Sequence, residues 1–135
     1  SPALYQGRDR QDLRLSMTRV TFHTEQGRIT GFDAKGHSGW AEAGEDLLCA
    51  SITAAVTLVE ATVNDVLGLA AAVRIDEGRA LISLRLPGGL APTAESTCQS
   101  LLTGLMLYFA MLHDEYPDNI EVLEAESDSP ASGNS

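Results

Sequence analysis

Between Leu48 and Leu67 the apolar residues fall at 48, 52, 55, 56, 59, 63, 66 and 67, the spacing of one face of a helix of about 20 residues. Asp46 stands ahead of it as an N-cap and Gly68 behind it as a stop. A face of that length has to be buried, and the flanking sequence supplies period-two segments to bury it against. Val20 and Phe22 alternate with polar neighbours, Glu25-Gln26-Gly27 turns the chain, and Ile29 to Lys35 resumes an extended pattern. After the helix a second hairpin reads as Val73 and Ile75, the turn Asp76-Glu77-Gly78, then Ile82, Leu84 and Leu86, closed by Pro87-Gly88-Gly89. A second helix follows from about Thr93 to Asp114, with Cys98, Leu101, Leu102, Leu105, Phe109 and Leu112 on one face. Ile120 and Val122 form a closing strand. The expected fold is α+β: one compact domain in ββαββαβ order, two long amphipathic helices packed with a mainly antiparallel sheet. A chain of 135 residues that is 44% apolar has material for one such core.

The ends read differently from the middle. Residues 1–16 carry three of the nine basic residues and no sustained apolar period, and are read as an N-terminal extension or an expression remnant. Residues 17–126 form the domain, and 127–135, rich in Ser with Pro, Gly and Asn, are read as a disordered tail. No apolar run is expected to cross a membrane, and no secretory signal opens the chain, so the expectation is a soluble cytoplasmic protein without a membrane partner. The net charge of −10 repels a phosphate backbone, which excludes direct nucleic-acid binding and favours a basic partner. Cys49 and Cys98 are too few for a disulfide scaffold and are read as free thiols.

The chemistry concentrates in Gly36-His37-Ser38-Gly39-Trp40-Ala41-Glu42-Ala43-Gly44-Glu45-Asp46-Leu47-Leu48-Cys49, which holds the one sequence-near His and Cys pair. Cys49 is expected in the first helical turn, where free backbone N–H groups and the helix dipole favour a thiolate. His37, at a strand end, can fold back across a glycine-bearing loop to pair with that thiolate and later protonate a leaving amine. Backbone N–H groups near the helix start, including that of Cys49, are candidate oxyanion donors. Leu48-Cys49-Ala50-Ser51 is also what the start of a core helix looks like, so spacing alone leaves packing and catalysis both open. Trp40 is either a contact for an apolar peptide side chain or a packing anchor. Cys98 lies on an apolar helix face and reads as a buried structural thiol, and His23 and His113 read as surface residues. His37 and Cys49 leave a zinc site two ligands short, and Pro87-Gly88-Gly89 lacks the lysine of a phosphate loop, so no metal or cofactor is expected.

These residues resemble the ribosomal-processing cysteine proteases, the Prp family. Its members show Gly-His-small, a Gly-containing loop, then Gly-x-Asp-aliphatic-aliphatic-Cys-small-small, and this chain has Gly36-His37-Ser38 and Gly44-Glu45-Asp46-Leu47-Leu48-Cys49-Ala50-Ser51 with a matching interval. Gly104-Leu105 and Tyr116-Pro117-Asp118-Asn119-Ile120-Glu121-Val122 resemble the family's ending, so the likeness runs from about Met17 to Glu124. Ser38, Trp40 and Leu47-Leu48 depart mildly from the commonest family residues. The resemblance implies Cys49 as nucleophile, His37 as its acid/base partner and Asp46 as an orienting carboxylate. The loop residues Ser38, Gly39, Trp40 and Gly44 then become candidates for ordering over substrate. It further implies a homodimer and, as substrate, a large-subunit ribosomal protein whose N-terminal extension is cut after an aromatic residue. The acidic surface suits a basic ribosomal protein, since 114–128 holds seven acids and no base. A rival reading from another class is a non-catalytic ribosome-assembly or protein-binding module whose acidic surface clamps a basic partner.

Overall fold

The structure, a computed structural model, describes residues 17–36, 43–76, 78 and 80–127. Five strands and two helices follow in the expected order. Strands β1 (Thr18–Glu25) and β2 (Arg28–Lys35) form a hairpin, helix α1 (Ala43–Glu60) follows, and β3 (Ala72–Asp76) and β4 (Leu81–Arg85) form a second hairpin. Helix α2 (Pro92–Glu115) and strand β5 (Ile120–Glu126) complete the fold. The first turn is two residues, Gln26 at φ 54° and Gly27 at φ 81°, and this primed geometry matches the right-handed twist of the flanking strands. The second connection is longer than the three-residue turn read from the sequence, because β3 ends at Asp76 and β4 starts only at Leu81.

The sheet order is β3-β4-β2-β1-β5. Every neighbouring pair is antiparallel except β1 with β5, which run parallel with Thr18 opposite Ile120. β2 and β3 therefore run in the same direction with β4 between them, and α1 is the crossover that carries the chain from the end of one back to the start of the other. One end of the sheet consequently gathers Thr18, Gly36, Asp76, Leu81 and Ile120 beside the start of α1 and the end of α2. At that end Thr18 N–H donates to Asn119 C=O at 2.9 Å and Gly36 N–H to Ala80 C=O at 2.9 Å.

Both helices cover one sheet face. Alternation puts Val20, Phe22, Phe32, Ala34 and Leu84 on that face, each at most 1% exposed, against Leu48, Ile52, Val56, Val59 and Val63 of the first helix and Cys98, Leu102, Leu105 and Phe109 of the second. Phe22 anchors the centre, with ring centroids 5.6 Å from Phe32 and 6.1 Å from Phe109. The other face is polar and open. There Asp33 bonds His23 Nε2 at 2.8 Å and Arg85 at 3.0 Å. Burial alone would raise the Asp33 carboxyl, but hydrogen bonds from Arg85 and His23 and their positive charge outweigh it and hold it below its ordinary value.

Helix α1 differs from expectation at both ends. It begins at Ala43, so Asp46 is its fourth residue and not its N-cap. Beyond Glu60 the helix widens into a π turn over Ala61–Val66, with Leu67 N–H bonded to Thr62 C=O at 2.9 Å, before Gly68 at φ 66° ends it. The stretch Leu47–Val66 has a mean hydropathy of 1.6 and, contrary to the sequence reading, is long and apolar enough by composition to cross a membrane. In this fold its Leu48-to-Val63 face packs on the sheet.

Candidate active site

The segment singled out by its chemistry starts where β2 ends. Gly36 takes φ 83°, and a Cβ there would lie 2.6 Å from the Met17 carbonyl oxygen, so glycine alone lets the chain leave the sheet beside β1. Its bond to Ala80 ties the same point to the β3–β4 connection. The root of the loop that follows is thus fixed from two sides. His37, Ser38, Gly39 and Trp40 lie outside the described residues, as does the N-terminal stretch 1–16; the tail 127–135 is described only at Ser127.

Cys49 is described, and its position corrects the sequence reading. It is the seventh residue of α1, in the second turn, because the helix starts three residues ahead of Asp46. Its backbone N–H is therefore past the free donors of the helix start and belongs to the i→i−4 ladder, which removes it as an oxyanion donor. The free donors are those of Ala43, Gly44 and Glu45. Gly44 thus contributes backbone at the helix start.

Leu48 fixes the angular position of its neighbour. Its side chain is 2% exposed in the core, and about 100° per residue then turns Cys49 to the flank of the helix, where it is half-buried. Cys98 is fully buried on α2. Burial pushes its thiol up, the nearby Glu95 carboxylate adds to the rise, and Arg28 opposes it. The two cysteines thus stand in different environments, as the sequence reading expected. Of the other histidines, His113 donates from Nδ1 to Ile120 C=O at 2.7 Å, and His23 is held by Asp33, so both have structural partners. Among the described residues no cluster of three or more His, Cys, Asp or Glu side chains is placed to hold a metal ion.

A groove of about 670 Å³ runs between the outer faces of the helices, floored by Ala54, Ala55, Gly104 and Leu105 and walled by Leu58 and Tyr108. Leu58 in its wall is exposed, Leu47 and Met111 line a neighbouring pocket, and Leu107 is exposed on the second helix, each at least 60% accessible. The sequence reading placed Ala55 and Leu105 among the core-facing positions and named no groove, because an outward apolar residue on a helix looks the same as a core one.

The described part of the site is thus a half-buried cysteine on a sheet-packed helix, at the sheet end where the glycine-rooted loop departs. The family model of cysteine protease Prp matches residues 17–121. The ribosomal processing cysteine protease Prp of Bacillus subtilis (strain 168) is 31% identical over 94 residues, 70% of this chain and 84% of that protein. The chain belongs to the cysteine protease Prp family. Its fold is similar to SMU.848 from Streptococcus mutans, with a TM-score of 0.75 at 19% identity over 84% of this chain and 98% of that one. It is also similar to the essential ribosomal processing protease Prp from S. aureus in complex with a substrate peptide, with a TM-score of 0.68 at 18% identity over 80% of this chain and 99% of that one.

Proposed function

We propose that this chain is an endopeptidase that removes a short N-terminal extension from a large-subunit ribosomal protein, with Cys49 as nucleophile and His37 as acid/base. The observation that carries the reading is Cys49 itself. It is a half-buried thiol on a rigid, sheet-packed helix, at the end of the sheet from which the Gly36-rooted loop carrying His37 departs. In this reading the Cys49 sulfur, its proton passed to the His37 imidazole, attacks the scissile carbonyl carbon. His37 then gives the proton to the departing amine, leaving a thioester that water hydrolyses to release the acid and restore the thiol. Backbone N–H groups at the helix start support the oxyanion, and Asp46 orients the site, with Ser38, Gly39, Trp40 and Gly44 in the segment that closes over the peptide.

The substrate is a basic protein of the cytoplasm, and neither nucleic acid nor membrane takes part. The end of the molecule that carries the site also carries Asp114, Glu115 and Asp118 at the exit of α2, which attract such a substrate. The chain acts as a homodimer, and the helical face ringed by Leu47, Leu58, Leu107 and Met111 is the apolar surface available for a second copy.

The decisive experiment incubates the chain with peptides spanning candidate extension junctions and reads the products by mass spectrometry. Cys49→Ser is expected to lower turnover by about a thousandfold or more while keeping the fold. Wild-type turnover by Cys49→Ser would remove the assignment.

A further inference from the structure

The flank of α1 that carries Cys49 faces a part of the sheet that the helices leave uncovered. Contacts of α2 with β5 and β2 set it over the β1 side, which leaves α1 over the β4 and β3 side. Going round α1 at about 100° per residue, Leu48, Ile52, Val56 and Val59 face the core, and Ser51, Ala55 and Leu58 face the α2 groove. Cys49, Thr53 and Glu60 fall on the remaining flank, turned away from α2 and toward β3. The large apolar groove is therefore on the wrong side of the helix to serve the thiol.

β3 is the outer strand on that side, and its helix-facing residues are Val73 and Ile75, in register with Leu84 and Ile82. Ile82 in turn pairs with Ala34, and Ala34 with Val20. Along this one row exposure rises from 0% at Val20 and Ala34 to 63% at Ile75. The helix layer stops short of the strand, leaving a large apolar side chain in the open. β3 runs toward the end of the sheet where α1 starts, so Ile75, its penultimate residue, stands at the Cys49 end.

We propose that Ile75 is a substrate-contacting residue, the apolar floor of a trough between α1 and the edge strand β3 in which an extended basic peptide lies with its scissile bond at Cys49. The proposal rests on Cys49 being the nucleophile. The occupant follows from the chemistry of the trough. A peptide bond is attacked with the chain extended past the nucleophile, and β3 offers a strand edge unpaired among the described residues and an apolar contact along that path. Glu60 on the α1 flank puts a carboxylate at its margin, which matches a basic residue of the peptide. A second copy of the chain has its apolar surface on the opposite flank.

The test measures KM and kcat on a junction peptide for Ile75→Ala, Ile75→Asp, Ile75→Leu and, as a control on the open sheet face, Leu123→Ser, with Cys49 alkylation rate as a check that the site is intact. Ile75→Asp is expected to raise KM on the order of tenfold, Ile75→Ala less and Ile75→Leu least of the three, with kcat and alkylation little changed, and Leu123→Ser to match wild type. Wild-type KM in Ile75→Asp, with cleavage still dependent on Cys49, would overturn the role of Ile75 alone. Cleavage that survives Cys49→Ser would overturn the nucleophile, and this proposal with it.

Discussion

Gly36 is the single residue on which the geometry of the loop root depends most. At φ 83°, with the Met17 carbonyl 2.6 Å from where a Cβ would stand, Gly36→Ala has to distort either the loop root or the start of β1. Strain of this kind costs about 1–3 kcal/mol, so the variant should melt lower and lose turnover although Cys49 is unchanged. Asp33 makes a pH-dependent contribution on the open face. Its folded pKa lies below its unfolded one, so the stabilisation is present above about pH 4 and drains away as pH falls through the folded value. Asp33→Asn should therefore flatten the acid limb of a stability-against-pH curve and leave the region above it parallel to wild type. Cys49 and His37 were easy to single out because cysteine and histidine are rare in the chain. The setting of Cys49 was less so. Asp46 is a good cap and drew the helix start to itself, yet Ala43 extends a helix well, and carboxylates are as favourable within the first turn as before it.

At the scale of elements, periodicity located all seven, because each alternates apolar and polar residues at its own period. What it could not supply was pairing. A strand carries no mark of which neighbour it takes, so the parallel seat of β5 beside β1 and the exposed edge at β3 emerge only when the sheet is assembled. The same holds for the side chains that stand in for missing strands. β4 leaves the ladder with β2 at the Gly31–Arg85 pair, and beyond it the Gln99 amide bonds both the N–H and the C=O of Ile29, each at 2.8 Å. Arg28 beside it pairs with Glu95 at 2.6 Å and donates to the Pro87 carbonyl at 3.1 Å, so the first turns of α2 are sewn to the start of β2. Gln99→Leu leaves two half-buried backbone groups without that partner and should cost about 1–3 kcal/mol, read as a lower midpoint in urea with an unchanged slope. Glu95→Gln neutralises one partner of a half-buried ion pair and should cost about 1–2 kcal/mol.

The molecule as a whole is sided. One sheet face is polar, the helical face is apolar at its rim, and the end that holds Cys49 is bordered by the acids at the exit of α2. A net charge of −10 on 135 residues makes the field around it attractive to a basic protein at distances well beyond contact. Contacts inside a trough floored by an apolar side chain act only at van der Waals range. The two contributions respond differently to salt, because a Debye length of about 10 Å at 0.1 M screens the field and leaves short-range apolar packing in place. Cleavage of a basic full-length substrate should therefore lose more of its kcat/KM on going from low to high salt than cleavage of a short neutral peptide with the same junction. The loss should sit in capture and not in turnover. Replacing the aromatic residue before the cut by Ala should lower kcat/KM for both substrates by a similar factor, since both place that residue against the same surface. Equal salt sensitivity in the two would take electrostatic capture out of the account. Indifference to the Ala replacement would take the apolar contact out of it, and either result can occur without the other.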